Sequence, residues 1–249
     1  MIYNKNNKKP EILGLIPARG GSKGIPGKNI MRVAGKPLIS YSIMHAQKSK
    51  YISRIIVTTD DEDIANVSKE FGAEVPFMRP PDIAGDMSPD IDAFNHALKW
   101  LKNKESYNPE LVVQLRPTGP VRKIEIIDKA IEIILKDQNA DSLRSVSQAE
   151  QTPYKMWKIK KANRMNPLIE LDQLKDCHSL PRQKLPQAYW QNGYIDIIRP
   201  NTILKLNSMT GNNVIPFIID DALFELDYPE DIPAVERALL DKNYVVDKK

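Results

Sequence analysis

Cysteine is almost absent from this 249-residue chain, since Cys177 is the only one. One cysteine cannot form an intramolecular disulfide or a zinc site built from several thiolates, which is typical of a reducing, cytoplasmic setting. Long apolar runs are missing too, because no stretch of about 18 apolar residues occurs. Residues 1–10 are polar and Lys-rich, which predicts a flexible tail and not a secretory signal. We therefore expect neither a membrane span nor a membrane partner.

A large excess of one charge is also missing. The chain has 36 Lys and Arg against 32 Asp and Glu, for a formal net charge of +4 at pH 7. Domains that wrap nucleic acid usually concentrate far more positive charge on one face, so this balance argues against a nucleic-acid partner. The hydrophobic fraction of 41% is enough to build a sizeable core. A small polyanionic ligand remains compatible with this composition.

Apolar, β-branched runs alternate with segments of helical period over the first 140 or so residues. This alternation predicts an α/β fold with a mostly parallel sheet covered by helices. The predicted strands are 12–17, 54–59, 74–78, 111–115, 194–198 and 214–219. Helical spacing predicts helices near 64–71, 91–101 and 124–135, and a last one over 229–240.

The pattern changes after Ser147. Residues 148–191 carry several prolines, two tryptophans and little clean periodicity. The segment is too short to bury much core alone, so we predict one domain over 11–249 with an inserted arm at about 148–191. Its aromatic side chains could stack on nucleic-acid bases, but no basic stripe accompanies them. Contact with a second subunit is favoured instead, and we predict a homodimer.

The most informative segment runs from Ile16 to Asn29, directly after the first predicted strand. Glycines at 20, 21, 24 and 27 let the backbone turn its N–H groups inward and form a concave site for anionic oxygens. Arg19, Lys23 and Lys28 add three cations to the same loop. A triphosphate needs several such donors at once. The position after a sheet strand, where open α/β folds bind ligands, favours this interpretation over a flexible basic surface loop.

The two commoner glycine motifs do not fit this loop. A Walker A loop needs Ser or Thr after its Gly-Lys pair, whereas Gly27-Lys28 is followed by Asn29. The glycine spacing also differs from the G-x-G-x-x-G motif that binds dinucleotides. An ordinary P-loop ATPase or a dehydrogenase is therefore disfavoured.

The segment from Ile16 to Asn29, followed by Ala34–Leu38, resembles the signature of the acylneuraminate cytidylyltransferases, the CMP-sialic acid synthetases and their relatives. The resemblance covers most of the chain from Glu11 onward. Further matching motifs follow in order at Val57–Asp60, Arg79-Pro80 with Asp86, Arg116–Arg122, Pro181–Gln183 and Asn192-Gly193.

This resemblance implies a Rossmann-like nucleotidyltransferase fold, usually dimeric, with CTP and a sugar as substrates. The anomeric hydroxyl of an acidic nine-carbon sugar would attack the α-phosphorus of CTP, and pyrophosphate would leave. The implied catalytic residues are Arg19, Lys28 and Asp227. The implied nucleotide-binding residues are Arg19, Gly20, Gly21, Ser22, Lys23, Asn29 and Arg79, and the candidate sugar-binding residues are Arg116, Arg182 and Asn192.

A magnesium ion is the expected cofactor, since phosphoryl transfer depends on positioning and on neutralising charge. Asp227 matches the second acidic residue of the family's Asp-x-Asp magnesium motif, and Glu225 stands where the family commonly has Asp. Residues two apart on a strand point the same way, so both carboxylates are predicted to face one ion. The alternative is that Asp227 caps the last helix and Glu225 is solvated.

Two departures from the family concern the acceptor. Arg116 stands where sialic acid enzymes often have Gln, and Gly119 replaces a serine. An arginine can bind a carboxylate or a phosphate with both nitrogens, so the acceptor is predicted to differ from ordinary N-acetylneuraminate, as a rarer bacterial nonulosonate or a sugar 1-phosphate. The alternative is that Arg116 pairs with an acidic neighbour as part of the structure. Two further alternatives are a guanylyltransferase acting on a sugar 1-phosphate and a catalytically silent nucleotide-binding protein.

Other candidate residues are interpreted as structural. His45 and His96 have no metal-ligand spacing, and His96 falls on the predicted helix 91–101. Cys177 and His178 are sequence neighbours, which rarely form a nucleophile and its base. Asp60 and Asp61 follow the second predicted strand, where they either approach the nucleotide or cap the next helix, and the cap is favoured.

Overall fold

The computed structural model describes residues 9–161, 163–221, 223–241 and 244. The predicted flexible tail, residues 1–10, lies outside the described residues apart from 9 and 10. The chain divides into two compact units, the first formed by 1–145, 193–217 and 222–249 and the second by 146–192 with 218–221. The predicted arm, 148–191, falls within the second unit. Among the described residues, no helix has the length and apolar character needed to cross a membrane.

The predicted helices and all but one of the predicted strands are present, together with further elements that the periodicity did not predict. The strands are β1 Ile12–Pro17, β2 Arg32–Val33, β3 Lys36–Pro37, β4 Arg54–Thr58, β5 Leu111–Gln114, β6 Ser142–Gln148, β7 Trp157–Lys160, β8 Arg164–Pro167, β9 Tyr189–Ile198 and β10 Val214–Ile218. The helices are α1 Leu38–Lys48, α2 Glu62–Glu70, α3 Asp90–Glu105, α4 Ile124–Lys136, α5 Pro200–Leu204 and α6 Ile232–Leu239. The last predicted helix is present as a 3-10 turn, Pro229–Asp231, followed by α6.

The central sheet has the strand order β10-β6-β9-β5-β1-β4. β1 lies between β4 and β5 and is parallel to both, whereas β9 is antiparallel to β5. β1 is apolar at every position and buried along nearly its whole length, as expected of a strand with helices on both sides. The predicted α/β fold with a mostly parallel sheet is confirmed.

Helices cover both faces of this sheet. Leu13 and Leu15 point to one face, where they belong to the core cluster that contains Phe94 of α3. Gly14 points to the other face, and a Cβ there would lie 3.6 Å from the Cβ of Ala46 in α1. The alternation of β1 therefore separates α1 from α3.

The strand predicted at 74–78 is wrong. Only Glu74 pairs with the sheet, through a single parallel bridge to Ile56. Pro76 has no N–H to donate to a ladder, so the pairing stops after one residue. Phe77 instead joins the core cluster of α3.

The second unit contains a two-stranded antiparallel hairpin, in which β7 pairs with β8. Apolar side chains on this hairpin are exposed to solvent, among them Ile159 at 84% and Met165 at 58%. Cys177 is buried, and its thiol lies within hydrogen-bonding distance of the carbonyl oxygens of Tyr154 and Ile169. A thiol engaged with two carbonyl groups is consistent with the structural interpretation of Cys177.

His45 of α1 is completely buried beside the equally buried Arg122. Burial lowers the pKa of His45 from 6.5 to about 3, and the positive charge of Arg122 acts in the same direction. His45 is therefore neutral in the folded protein at every pH at which the protein is expected to function.

The depressed pKa of His45 predicts a pH-dependent stability. Below pH 6.5 His45 is protonated in the unfolded chain but stays neutral in the folded chain. The free energy of unfolding therefore falls as the pH is lowered toward 3. Between pH 7 and pH 5 we expect a loss of about 2 kcal/mol from this residue. Urea unfolding of the wild type and of His45→Leu at both pH values measures it. An equally steep pH dependence in His45→Leu would assign the effect to other groups.

Candidate active site

A cavity of about 720 Å³ opens in the first unit at the ends of β1 and β5. Pro17 ends β1, and Arg116–Thr118 follow β5 closely, so the cavity lies where α/β sheets present their binding loops. Its other lining residues come from the loop after β1, from Arg79, from the turn before α3 and from Asp227-Tyr228. The predicted residues Arg19, Ser22, Lys23, Lys28, Asn29, Arg79, Arg116 and Asp227 all line it.

The glycine-rich loop presents unpaired backbone donors. The N–H groups of Gly21, Lys23 and Gly24 have no hydrogen-bond acceptor within the part of the chain that the structure describes. Gly27 has a φ of +64°, a left-handed conformation that favours glycine, and it leads into the 3-10 turn Lys28–Ile30. Gly24 lies so close to the backbone of Asp227 that a Cβ on Gly24 would lie 2.6 Å from the Asp227 carbonyl oxygen.

Gly20 and Gly21 do not line the cavity. The Gly20 N–H donates to Oδ1 of Asp60 at 3.0 Å, and a Cβ at Gly20 would lie 2.7 Å from Oδ2 of Asp61. Asp61 caps α2 as predicted, since its Oδ1 accepts from the N–H of Ile64 at 2.9 Å. Asp60, predicted as part of the same cap, instead anchors the loop.

Lys28 connects the loop to the far end of the sequence. Its side chain is only 12% exposed, and Nζ donates to the Leu226 carbonyl oxygen and to Oδ1 of Asp227, each at 3.1 Å. Asp227 keeps 51% of its side chain exposed toward solvent. A cation and a carboxylate thus stand together at the wall of the cavity.

Arg19 and Lys23 both pair with Asp86, which lies in the turn before α3. Nη1 of Arg19 lies 2.8 Å from Oδ1 of Asp86, and Nζ of Lys23 lies 2.6 Å from Oδ2. The pKa of Asp86 is lowered from its ordinary value, chiefly because Lys23 donates a hydrogen bond to the carboxylate. The two cations therefore converge on one carboxylate.

Asn29 and Arg79 are both buried at the base of the cavity. Nδ2 of Asn29 donates to the Arg19 carbonyl oxygen at 2.9 Å and fixes the start of the loop. Arg79 donates to the carbonyl oxygen of Thr58 at the end of β4. Burial lowers the pKa of Arg79, and the charge of Asp60 partly opposes this effect.

Arg116 is held by two carboxylates. Nη1 lies 2.9 Å from Oδ2 of Asp196, which is completely buried, and Nη2 lies 3.0 Å from Oδ2 of Asp90. Burial alone would lower the pKa of Arg116, but the charges of Asp196 and Asp90 outweigh it and leave the pKa raised. The alternative that Arg116 pairs with acidic neighbours is confirmed, while a contact with the sugar stays a prediction.

The two predicted metal ligands are placed differently. Asp227 lines the cavity and Glu225 does not. The segment 223–226 has no regular secondary structure, so the strand on which both carboxylates were predicted to lie is absent there. The pKa of Glu225 is raised by burial and by the charge of Asp227, and its Oε1 lies 2.9 Å from where a Cβ on Gly193 would stand. No cluster of three or more His, Cys, Asp or Glu placed to hold a metal occurs among the described residues.

Comparison with known protein families identifies the chain. Residues 13–204 match the family model described as cytidylyltransferase. The chain belongs to the cytidylyltransferase family. The nucleotidyltransferase predicted from the sequence is thereby confirmed.

Curated relatives match the cytidylyltransferase over nearly its full length. The post-translational flagellin modification protein B of Campylobacter coli is 33% identical over 241 residues, which are 94% of this chain and 97% of the relative. The CMP-N,N'-diacetyllegionaminic acid synthase of Legionella pneumophila is 33% identical over 231 residues, which are 92% and 96% of the two chains. Among solved structures, that of CMP:2-keto-3-deoxy-manno-octonic acid synthetase complexed with CTP has a TM-score of 0.68 at 15% identity, covering 92% of this chain and 98% of its own. This last likeness shows the shared fold.

Two predicted sugar-binding residues of the cytidylyltransferase lie in its second unit. Nη2 of Arg182 donates to the Ala149 carbonyl oxygen at 3.1 Å, and Arg182 lines a separate cavity of about 300 Å³. Asn192 is buried, and its Nδ2 donates to Oγ of Ser147 at 2.9 Å. Their contact with a sugar stays a prediction.

Sequence reasoning missed several residues at the candidate site of the cytidylyltransferase, among them Asp90, Tyr228 and Asp196. Asp90 and Tyr228 line the cavity, and the buried Asp196 forms an ion pair with Arg116. Asp90 opens α3 two residues after Ser88, where an acidic residue is ordinary, and Asp196 interrupts the apolar end of β9. A charge inside a buried strand was the available signal for Asp196.

The closeness of Gly24 to Asp227 predicts a steric effect. In Gly24→Ala the new methyl group would meet a backbone oxygen at 2.6 Å, so the loop must move away from Asp227. A displacement of about 1 Å at a catalytic loop costs up to about 100-fold, and we expect kcat/KM for CTP to fall about 10- to 100-fold. Steady-state kinetics, with thermal unfolding to verify the fold, measure this. An unchanged kcat/KM would show that the loop does not need this close approach.

Proposed function

We propose that this cytidylyltransferase activates an acidic nine-carbon sugar, a nonulosonate. The anomeric hydroxyl of the sugar attacks the α-phosphorus of CTP, the bond to the β-phosphate oxygen breaks, and pyrophosphate leaves. The observation that carries the proposal is the convergence of Arg19, Lys23 and Lys28 with unpaired backbone N–H groups in one cavity. The names of the relatives supply the acceptor class, since they include a diacetyllegionaminic acid synthase and a pseudaminic acid cytidylyltransferase of Campylobacter jejuni.

The cations perform most of the catalysis in this proposal. Phosphoryl transfer depends on holding the reactants in line and on neutralising charge that develops on the leaving group. Lys28 is held by two acceptors and is therefore fixed in place, whereas Lys23 is 78% exposed and can move toward an incoming phosphate. Asn29 and Arg79, buried at the base of the cavity, are the proposed contacts of the cytidine.

Magnesium is proposed to bind this site through one carboxylate. Magnesium commonly takes one or two protein carboxylates together with phosphate oxygens and waters. Asp227 faces the cavity beside Lys28, so it is the proposed ligand, while Glu225 stands outside the lining and is the weaker of the two predicted ligands. The bound ion would neutralise charge on the leaving pyrophosphate.

The acceptor is proposed to meet the cavity near Arg116. Asp90 and Asp196 occupy the two nitrogens Nη2 and Nη1, so the remaining N–H groups of the guanidinium are the donors available to a sugar carboxylate. Arg182 and Asn192, in the second unit, stay candidate sugar-binding residues on the strength of the sequence resemblance alone.

We further propose a homodimer in a reducing, cytoplasmic setting. Exposed apolar side chains on the β7–β8 hairpin, among them Trp157, Ile159 and Met165, support a subunit interface. A single, buried cysteine is the support for the reducing setting.

A substrate panel tests the reaction. We expect pyrophosphate release when the protein, magnesium and CTP are combined with a nonulosonic acid, and not with ATP, GTP or UTP. The coupled pyrophosphate assay is run with each nucleotide against nonulosonic acids and against sugar 1-phosphates. Turnover only with GTP and a sugar phosphate would contradict the proposal, and CTP binding without pyrophosphate release under every acceptor would indicate a silent binding protein.

Lys28→Ala tests the role of the loop. Loss of a fixed cation from a transferring phosphoryl group is expected to lower kcat about 100- to 1,000-fold while the oligomer stays intact. Lys69→Ala, on the exposed last turn of α2, is the matched control and should turn over like the wild type. Kinetics and size-exclusion chromatography measure the two properties. Wild-type turnover in Lys28→Ala would remove the phosphate role assigned to this residue.

A further inference from the structure

Asp86 receives two cations of the glycine-rich loop on its two oxygens. Oδ1 faces Arg19 at 2.8 Å and Oδ2 faces Lys23 at 2.6 Å. Arg19 and Lys23 could bind two oxygens of one phosphate group in the same way, each contacting one oxygen. The carboxylate itself lines the cavity in which the triphosphate is proposed to bind.

These two ion pairs are poorly suited to stabilising the fold. The side chains of Arg19 and Asp86 are 31% and 34% exposed, and that of Lys23 is 78% exposed. Ion pairs exposed to this degree contribute little to stability because water competes for both partners. Asp86 also belongs to a turn closed by the hydrogen bond from the Ser88 N–H to the Gly85 carbonyl oxygen, and not to a helix or strand. Its contacts are therefore weak enough to exchange for a ligand.

We propose that Asp86 holds the place of a phosphate group in the ligand-free site and releases Arg19 and Lys23 when a polyphosphate binds. The proposal rests on the triphosphate site of the proposed function. Asp86 is a positioning residue in this scheme, because it acts on the substrate through the two cations. Its own negative charge repels phosphate oxygens at close range.

The exchange of Asp86 for phosphate as the partner of Arg19 and Lys23 affects the affinity for pyrophosphate as well as the affinity for CTP. When pyrophosphate leaves, the carboxylate takes back both cations and competes with rebinding. Asp86 thus weakens pyrophosphate binding and limits product inhibition. Lys28 does not take part, since its partners are Leu226 and Asp227.

Asp86→Asn tests the proposal, because it keeps the shape of the side chain and removes the charge. We expect the Kd for pyrophosphate, measured by isothermal titration calorimetry with and without magnesium, to fall about 3- to 30-fold. The KM for CTP should fall and inhibition by pyrophosphate should strengthen in the same range. Asp82→Asn is the control. Asp82 lies four residues before Asp86, is exposed and does not line the cavity, so this variant loses the same charge and should bind pyrophosphate like the wild type.

Three results would overturn the proposal. A higher Kd for pyrophosphate in Asp86→Asn would mean that Asp86 orders the two cations for binding. A greater magnesium requirement would mean that it is a metal ligand, and an unchanged Kd would mean that it has no role. Asp86→Ser, assayed in the same way, replaces Asp86→Asn if thermal unfolding shows that the latter is not folded.

Lys28→Ala separates this failure from failure of the proposed function. If Lys28→Ala weakens pyrophosphate binding and Asp86→Asn does not change it, the loop binds phosphate and only the role of Asp86 is refuted. If Lys28→Ala leaves pyrophosphate binding unchanged, the triphosphate site itself is placed wrongly.

Discussion

Repulsion among the cations of one short loop is the constraint on which the site depends. Arg19, Lys23 and Lys28 lie within ten residues of one another, and each needs a negative partner when no ligand is bound. Asp86 supplies one partner for two of them and Asp227 supplies the other. The charges proposed to bind a polyphosphate are thus kept in position by carboxylates on other segments. The small net charge of the chain gives no sign of this local clustering of cations and carboxylates.

A buried guanidinium supports the cavity wall from within the core. Arg122 is almost completely buried and donates to the Tyr194 carbonyl oxygen, to Oγ of Ser42 and to the Arg116 carbonyl oxygen. These bonds tie the backbone of Arg116 to α1 and β9, and so fix the position from which its side chain projects. A Cβ at Gly119 would lie 3.2 Å from Nη2 of Arg122, which gives a physical reason for glycine at this position.

The sequence predicted those features that depend on neighbours along the chain. β1 and β5 follow from their apolar, β-branched runs, and the loop cations follow from their spacing, because both signals are local. The strand at 74–78 failed because Pro76 stops the pairing that the apolar pattern suggests. The pairing of Arg116 with Asp196 joins residues 80 positions apart, so only the folded sheet brings them together. The roles of Glu225 and Asp227 likewise depend on how an irregular segment turns, which periodicity does not encode.

Contacts between the glycine-rich loop and the segment at Leu226-Asp227 have a consequence for biosynthesis. Lys28 and its partners are 198 and 199 residues apart, and Gly24 packs against the same segment. During synthesis the glycine-rich loop leaves the ribosome early and Asp227 leaves it late. β1, β4 and β5 can therefore form before Lys28 can bond to Leu226 and Asp227. The nascent chain therefore carries β1, β4 and β5 well before Leu226-Asp227, which the proposed phosphate site needs, has emerged.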